Sequence, residues 1–212
     1  MQRKTIFDAV RRMLGRGITK AQVRALDRAI DAAAGSGDLS AQNSVTTVTS
    51  PTGARAVSSR GLALIRQFEG CARVRADGLV QAYPDPGTGS DPWTIGWGAA
   101  GAAIGPGTVW TQAQCDTRLA ADVARHAAQV AAAIGDAPTK QAQFDALVSF
   151  HYNTGAIGRA TLTRKHVAGD FVGAVDEFAR WNRAGGRVLR GLTRRRAVEA
   201  ALYAGVSLPG HK

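Results

Sequence analysis

The chain has 212 residues, 45% of them hydrophobic, and its 27 Lys and Arg against 16 Asp and Glu give a formal net charge of +11. This length allows one ordinary domain with a small appendage, and the apolar content is sufficient for a packed core. No segment approaches the roughly eighteen consecutive apolar residues of a transmembrane helix, and the first residues lack the apolar stretch of a secretory signal. We therefore expect a cytoplasmic protein whose positive charge attracts an anionic partner.

Residues 1–34 are predicted to form a helical hairpin. An apolar stripe with helical spacing marks the first helix, and Thr19 with Gln22 fits the capping box that would open the second. A hairpin of this size buries too little area to be stable alone, so it must dock on the main domain, self-associate or bind a partner such as a membrane surface. Residues 35–57, rich in Ser, Gly, Asn and Thr, predict a linker, which leaves residues 58–212 as the main domain.

A short apolar helix is predicted between an N-cap at Ser58 or Ser59 and a C-terminal glycine, Gly70. Glu69 then lies in the last turn, beside Phe68. Partial burial and the negative end of the helix dipole both disfavour the charged form of a carboxylate at this position. A protonated carboxylic acid near neutral pH is what general-acid cleavage of a glycosidic bond requires. The plain alternative is a solvated Glu at a helix end.

Residues 81–98 alternate turn residues with aromatic and β-branched residues, a pattern that predicts a tight hairpin or a small sheet. A small sheet beside the end of the preceding helix would bring Asp85 and Thr94 into one cleft with Glu69. Asp91 is a rival for the second carboxylate, although its position before a proline is typical of the start of a turn.

The remaining segments are predicted to be mainly helical. A capping box at residues 111–114 opens one helix, and the apolar residues of 141–152 predict the central buried helix. Residues 170–204 predict two further helices, interrupted by Gly185 and Gly186. The fold class is therefore α+β, mainly helical with a small antiparallel sheet.

The histidines and cysteines do not form a recognisable metal site. His126 is interpreted as solvated, and His151 and His166 are interpreted as structural or exposed, because none has the partners that a metal centre needs. Cys71 and Cys115 fit either buried free thiols or a disulfide, and sequence alone does not supply the geometry that would decide between them.

Several motifs, in this order, resemble the phage-type lysozymes of glycoside hydrolase family 24. They are Glu-Gly at 69–70, Ala-Tyr-Pro-Asp at 82–85, Trp-Thr-Ile-Gly-Trp-Gly at 93–98, the segment 143–155 that ends in Asn-Thr-Gly, and Phe-Ala-Arg-Trp-Asn at 178–182 followed by the Gly- and Arg-rich segment 184–199. The resemblance covers roughly residues 58–206. It implies a lysozyme-like, two-lobed fold.

The same resemblance implies hydrolysis of the β-1,4 bond between N-acetylmuramic acid and N-acetylglucosamine in peptidoglycan. Glu69 would protonate the leaving oxygen, and Asp85 would stabilise the oxocarbenium charge and orient a water. Thr94 would hydrogen-bond that water, and the anomeric centre would be inverted. This chemistry needs neither a metal nor an organic cofactor.

Three further residues resemble substrate-binding positions of the family. Asn153 and Trp181 correspond to residues of the cleft wall, and Arg194 corresponds to an arginine that pairs with the catalytic Glu. The sequence departs from the family at Ala99, where many members have a His that forms a structural ion pair.

The partners implied are peptidoglycan, an anionic cell-envelope surface and a holin, which would open the membrane for a monomeric enzyme held in the host cytoplasm until release to the periplasm and cell wall. Two alternatives are a lytic transglycosylase that uses Glu69 alone and a non-catalytic peptidoglycan-binding protein. A nucleic-acid-binding protein is disfavoured, because no recognition motif with interleaved aromatic residues is present.

Overall fold

The computed structural model describes residues 55–71, 73–84 and 89–206. The predicted N-terminal hairpin and nearly all of the predicted linker lie outside the described residues, and so does Asp85. The domain boundaries given above therefore stay predictions.

Six helices lie within the described residues, and they confirm the prediction of a mainly helical chain. They are α1 (Ser59–Glu69), α2 (Gln112–Ile134), α3 (Gln141–Thr154), α4 (Thr161–Val167), α5 (Phe171–Phe178) and α6 (Arg190–Tyr203). The sequence did not predict α4, a helix of 7 residues that is too short for a clear periodic pattern. In the described part of the chain, no helix combines the length and the apolar character that a membrane span requires.

Within residues 55–71, 73–84 and 89–206, seven short strands pair in three antiparallel sheets. They are β1 (Val80–Gln81), β2 (Tyr83–Pro84), β3 (Trp93–Ile95), β4 (Ala99–Ala100), β5 (Val109–Trp110), β6 (Arg183–Ala184) and β7 (Arg187–Val188). β1 pairs with β5, β3 lies between β2 and β4, and β6 pairs with β7 across a Gly-Gly turn. In the central sheet Tyr83 lies opposite Thr94, so the small sheet predicted from residues 81–98 is confirmed.

The N-terminus of α1 is fixed to α3. Of the two predicted candidates, Ser58 and not Ser59 is the N-cap, and its side chain accepts a hydrogen bond from the Gly61 backbone N–H. Both the backbone N–H and the hydroxyl of Ser58 also donate to the Asp145 carboxylate of α3. A Cβ at Gly61 would lie 2.8 Å from Asp145, so glycine allows the two helices to approach closely. Gly70 ends α1 with a φ of 65°, which places Glu69 on its last turn.

Residues 55–57, predicted as the end of the linker, contact the helical domain. The Arg55 guanidinium donates to the Thr139 carbonyl at 3.2 Å and lies 5.5 Å from the centre of the Phe144 ring. The Gln141 side chain donates to the Ala56 carbonyl at 3.0 Å. The chain is therefore already attached to α3 before α1 begins.

Two hydrophobic clusters form the interior. The larger one surrounds α3 and takes residues from each of the six helices. The smaller one lies under the sheets and contains Val80, Ile95, Ile104 and Cys115. Cys71 and Cys115 are both free thiols, and burial raises the pKa of Cys115 to about 11. The alternative of a disulfide left open by the sequence is thus not the state of this structure.

His126 is half-buried rather than solvated, so the sequence interpretation of this residue was wrong. Its ring lies 5.2 Å from that of His151 and 4.9 Å from that of Tyr152, and its Nδ1 is 2.7 Å from the Asp122 carbonyl oxygen. The reason is the packing of α2 on α3, which covers the helix face that carries His126.

His151 and His166 are buried and hydrogen-bonded, in agreement with a structural role. His151 Nε2 lies 2.8 Å from the Gln129 side-chain oxygen, while its Nδ1 accepts from the Ile157 backbone N–H. His166 lies between the hydroxyl groups of Tyr203 and Thr139. Burial lowers the pKa of both histidines below the ordinary value of 6.5, with a smaller contribution from neighbouring His126 in the first case and from Arg55 in the second.

We expect the fold to lose stability as the pH falls below about 6.5. Both histidines are neutral in the folded protein, so their stabilising contribution is complete above the unfolded-state pKa and is lost as the unfolded chain takes up protons. The expected slope is about 1.4 kcal/mol per pH unit for each histidine, down to its folded-state pKa. Thermal unfolding midpoints between pH 7.5 and pH 5 measure this loss. A His166→Gln variant should show a shallower slope, and an unchanged slope would contradict the assignment.

Candidate active site

Glu69 lies between α6 and the turn that joins β3 to β4. Its side chain is 21% exposed, and its Oε1 accepts a hydrogen bond from Arg195 Nη1 at 2.7 Å. Its Oε2 faces Gly98, where an added Cβ would lie 3.5 Å from this oxygen. Gly98 is exposed and has a φ of 90°. One oxygen of the carboxylate is therefore held by an arginine, and the other faces a turn that carries no side chain at that point.

The turn beside Glu69 is fixed by Trp97. The indole Nε1 donates to Asp116 Oδ1 at 2.7 Å, near the start of α2. The Arg66 guanidinium of α1 lies 3.2 Å from the same carboxylate oxygen and 5.5 Å from the centre of the Trp97 ring. An aromatic ring, a carboxylate and a cation thus connect α1, α2 and the β3–β4 turn. This arrangement holds the turn at the end of the helix that carries Glu69.

Tyr152 of α3 completes the contacts around Glu69, and the sequence did not indicate it as a site residue. Its hydroxyl donates to the Trp97 carbonyl at 3.5 Å. Burial raises the pKa of Tyr152 to about 12, and the negative charge of Glu69 contributes in the same direction. Sequence reasoning assigned Tyr152 to the core because it lies in the apolar run of the central helix.

Arg195, and not Arg194, pairs with Glu69, which corrects the expectation drawn from the family resemblance. Arg195 is buried on the face of α6 that packs against α3, whereas Arg194 is exposed. Arg195 also donates from Nε to Glu199, four residues later, and from Nη2 to the Ser149 carbonyl. The i to i+4 spacing from Glu199 is a sequence signal that places Arg195 and Glu199 on one helix face, but it does not show that this face is buried.

Asn153 lies in the last turn of α3, and Trp181 packs against the C-terminal half of the same helix. Asn153 Oδ1 accepts from Arg196 Nη2 at 2.9 Å, and the Asn153 residue is exposed. Trp181 is half-buried and packs edge-on against Phe150, with ring centres 5.2 Å apart. The Arg159 guanidinium lies 5.9 Å from the centre of the Trp181 ring. Both residues retain surface that a ligand can contact, and their roles stay predictions.

Of the two residues predicted to act with Glu69, the structure describes Thr94 but not Asp85. Thr94 is half-buried in β3 and pairs with Tyr83, two residues before Asp85. Asp85 itself lies outside the described residues, so its proximity to Glu69 stays a prediction. Its rival Asp91 is exposed and lies two residues before β3. Within the described ranges, no group of three or more His, Cys, Asp or Glu is arranged to hold a metal ion.

Comparisons with known proteins assign the family. The family model described as phage lysozyme matches residues 66–199, more than half of the chain. The chain belongs to the phage lysozyme family. The match begins within α1 and ends at Glu199 in α6, so it includes the contacts of Glu69 with Arg195 and with the β3–β4 turn.

Similar proteins include phage endolysins. The endolysin of Lactococcus phage c2 is 37% identical over 151 residues, which cover 69% of this chain and 59% of that relative. The solved structure of the endolysin from Escherichia coli O157:H7 phage FAHEc1 has a TM-score of 0.61 and 34% identity, covering 71% of this chain and 94% of that one. The muramidase domain of SpmX from Asticaccaulis excentricus has a TM-score of 0.59 and 31% identity, covering 70% and 98% respectively.

These likenesses confirm the lysozyme-like fold expected from the sequence. The chain spans 59% of the length of the Lactococcus phage c2 relative, so the shared part is the phage lysozyme domain rather than the whole of that protein. The fold and the family are therefore established by the comparison.

We expect Gly98→Ala to reduce activity while costing no more stability than the same substitution at another glycine with positive φ. Its φ of 90° disfavours any residue with a Cβ, at a cost of about 1–2 kcal/mol, and the new methyl group would occupy space next to Glu69 Oε2. Gly78→Ala is the matched control, since Gly78 has a φ of 79° and open space around its Cβ position. Both variants should lose similar stability in thermal unfolding. Only Gly98→Ala should slow the clearing of a peptidoglycan suspension, by about tenfold, and equal clearing by the two variants would contradict this placement.

Proposed function

We propose that the protein is an endolysin that hydrolyses the β-1,4 bond between N-acetylmuramic acid and N-acetylglucosamine in bacterial peptidoglycan. The observation that carries this proposal is the position of Glu69, at the end of α1 between Arg195 and the Gly98 turn, in a chain of the phage lysozyme family. Similarity to phage endolysins and to a muramidase domain supports the same substrate class.

Glu69 acts as the general acid in this proposal. Arg195 holds Oε1, which leaves Oε2 on the side of the exposed Gly98 as the oxygen that delivers a proton to the leaving glycosidic oxygen. Because Gly98 is exposed and has no side chain, a sugar can approach this oxygen. The hydrogen bonds of Trp97 with Asp116 and of Tyr152 with the Trp97 carbonyl hold the turn in place.

Asp85 and Thr94 act on the water in this proposal. Asp85 would be ionised, would stabilise the developing oxocarbenium charge and would orient the attacking water, which Thr94 would hydrogen-bond. Support comes from the register of the central sheet, in which the strand that ends one residue before Asp85 pairs with the strand that carries Thr94. Inversion of the anomeric centre requires a carboxylate separation of about 6.5–9.5 Å.

Substrate contacts are assigned to Asn153, Trp181 and Arg194. Asn153 is exposed in the last turn of α3, and Trp181 is half-exposed where it packs on Phe150 of that helix. The exposed Arg194 can contact an acidic group of the wall, because Arg195 is the arginine that pairs with Glu69. Acid-assisted glycoside cleavage of this type proceeds without a metal or an organic cofactor.

The wider setting follows from the same proposal. The protein would remain in the cytoplasm of the host as a monomer until a holin opens the membrane, and would then reach the periplasm and the cell wall. The net charge of +11 would attract it to anionic polymers of the envelope. Residues 1–34 would either dock on the main domain or bind the envelope, and residues 35–57 would link the two.

We expect Glu69→Gln to reduce wall clearing by about 10²- to 10⁴-fold, because the amide cannot donate the proton that leaves with the sugar oxygen. Turbidity of purified peptidoglycan measures the rate. Glu177→Gln is the matched control, since Glu177 is also largely buried and pairs with an arginine, Arg180.

Product analysis separates the proposal from its alternatives. New reducing ends support hydrolysis, whereas anhydromuramyl ends would indicate a lytic transglycosylase. A Glu69→Gln variant with full activity would reject the mechanism. A native protein that binds sacculi but never clears them would indicate a non-catalytic binding protein.

We expect clearing of cells stripped of their outer membrane to weaken steeply with added salt. Exposed charges are screened within about 10 Å at 0.1 M salt, so attraction of the basic surface to the wall is lost as ionic strength rises. The double variant Arg187→Gln, Arg190→Gln removes two exposed positive charges and should show a weaker salt dependence. Clearing that is independent of salt would mean that the basic surface does not serve wall binding.

A further inference from the structure

Glu199 is a buried carboxylate that binds two arginines. None of its side chain is exposed. Its Oε1 accepts hydrogen bonds from Ser149 Oγ at 2.8 Å, Arg196 Nη2 at 3.0 Å and Arg195 Nε at 3.1 Å. Its Oε2 lies 2.7 Å from Arg196 Nε, close enough for charge attraction but not aligned for a hydrogen bond.

The other ends of the two arginines reach two residues of the candidate site. Arg195 Nη1 donates to Glu69 Oε1 at 2.7 Å. Arg196 Nη2 donates to Asn153 Oδ1 at 2.9 Å, in addition to its bond with Glu199. Glu199 is therefore connected to Glu69 through Arg195 and to Asn153 through Arg196, and it is not hydrogen-bonded directly to either residue.

We propose that Glu199 is a positioning residue, which fixes Arg195 and Arg196 so that they hold Glu69 and Asn153 in the geometry that cleavage requires. The role of Glu69 as the acid belongs to the proposed function, and this inference rests on it. Glu199 would act by preorganisation. Residues that do not contact the substrate can hold the reacting groups within a narrow range of positions before the substrate binds.

Helix geometry explains how one residue serves both arginines. Arg195 and Arg196 precede Glu199 by four and three residues, so all three side chains lie on one face of α6. An unanchored arginine loses rotamer entropy when it adopts a single position. Binding of Nε by Glu199 removes that freedom in advance and leaves Nη1 of Arg195 directed at Glu69.

The charges of this cluster predict the direction in which the pH dependence of activity should change. Glu69 and Glu199 together balance the two arginines. Burial raises the pKa of Glu199, and the two guanidinium groups act in the opposite direction. Loss of the Glu199 charge would leave the positive charge of Arg195 less compensated, so the pH–activity profile of the site should move to lower pH.

The experiment compares two variants that separate charge from shape. Glu199→Gln keeps the shape and removes the charge, so the rate of wall clearing should fall by about tenfold or more and the basic limb of the pH–activity profile should move to lower pH. Glu199→Asp keeps the charge and shortens the side chain, so the rate should fall without that displacement of the limb. Glu177→Gln is the control, with a profile like that of the native protein.

A second measurement reports position without depending on catalysis. The Arg195 Nε–H signal in ¹H–¹⁵N spectra, assigned with Arg195→Lys, should be protected from exchange in the native protein and should lose protection in Glu199→Gln. Removing one partner from a buried ion pair destabilises proteins strongly, so each variant is measured well below its unfolding midpoint. If Glu199→Gln does not fold, the signal of Glu199→Asp supplies the test.

The outcomes distinguish this inference from the proposed function. A folded Glu199→Gln variant with the native pH profile and native Nε–H protection would overturn the positioning role, while an inactive Glu69→Gln variant would leave the proposed function intact. Uniform loss of rate at every pH, with a protected signal, would also overturn it, because that pattern reflects stability alone. A fully active Glu69→Gln variant would reject the proposed function, and the Arg195 Nε–H signal would still decide whether Glu199 positions that arginine.

Discussion

Nine consecutive residues of α3, from Gln143 to His151, are buried, so the helix is covered on all sides by the rest of the domain. A fully buried helix must satisfy every polar side chain that it carries. Asp145 does so by binding the N-terminus of α1, and Ser149 by donating to Glu199 of α6. These two contacts set where α1 and α6 lie, and Glu69 and Arg195 are on those two helices. The location of the site therefore follows from how α3 is buried.

The site that results combines groups from distant parts of the chain. Glu69 comes from α1, Gly98 from the β3–β4 turn, Tyr152 from α3 and Arg195 from α6. Burying ions costs several kcal/mol for each, and their mutual attraction repays this only with good geometry and further hydrogen bonds. A buried cluster of Arg and Glu is thus a weak source of stability. The cluster better explains why the Glu69 carboxylate and the Asn153 amide have defined positions.

Local signals in the sequence predicted the elements that depend on nearby residues. The N-cap at Ser58, the end of α1 at Gly70 and the capping box that begins at Thr111 were all confirmed, because each rests on contacts within four residues. The predictions failed where packing decided. His126 was assigned to solvent because nothing in its own helix covers it, and α3 does so in the folded protein.

The sequence alone determined the family, the mainly helical class and the identity of Glu69 as the candidate acid, because ordered motifs and helix-end signals are local properties of the chain. Only the tertiary structure decided which of three consecutive arginines meets that acid. Arg194 and Arg195 are neighbours in sequence and project from different faces of α6, so one is exposed and the other is buried. The packing of α6 on α3 sets which face of α6 is buried. Contacts between residues distant in sequence fix the orientation of α6 about its axis, and the three consecutive arginines do not themselves indicate it.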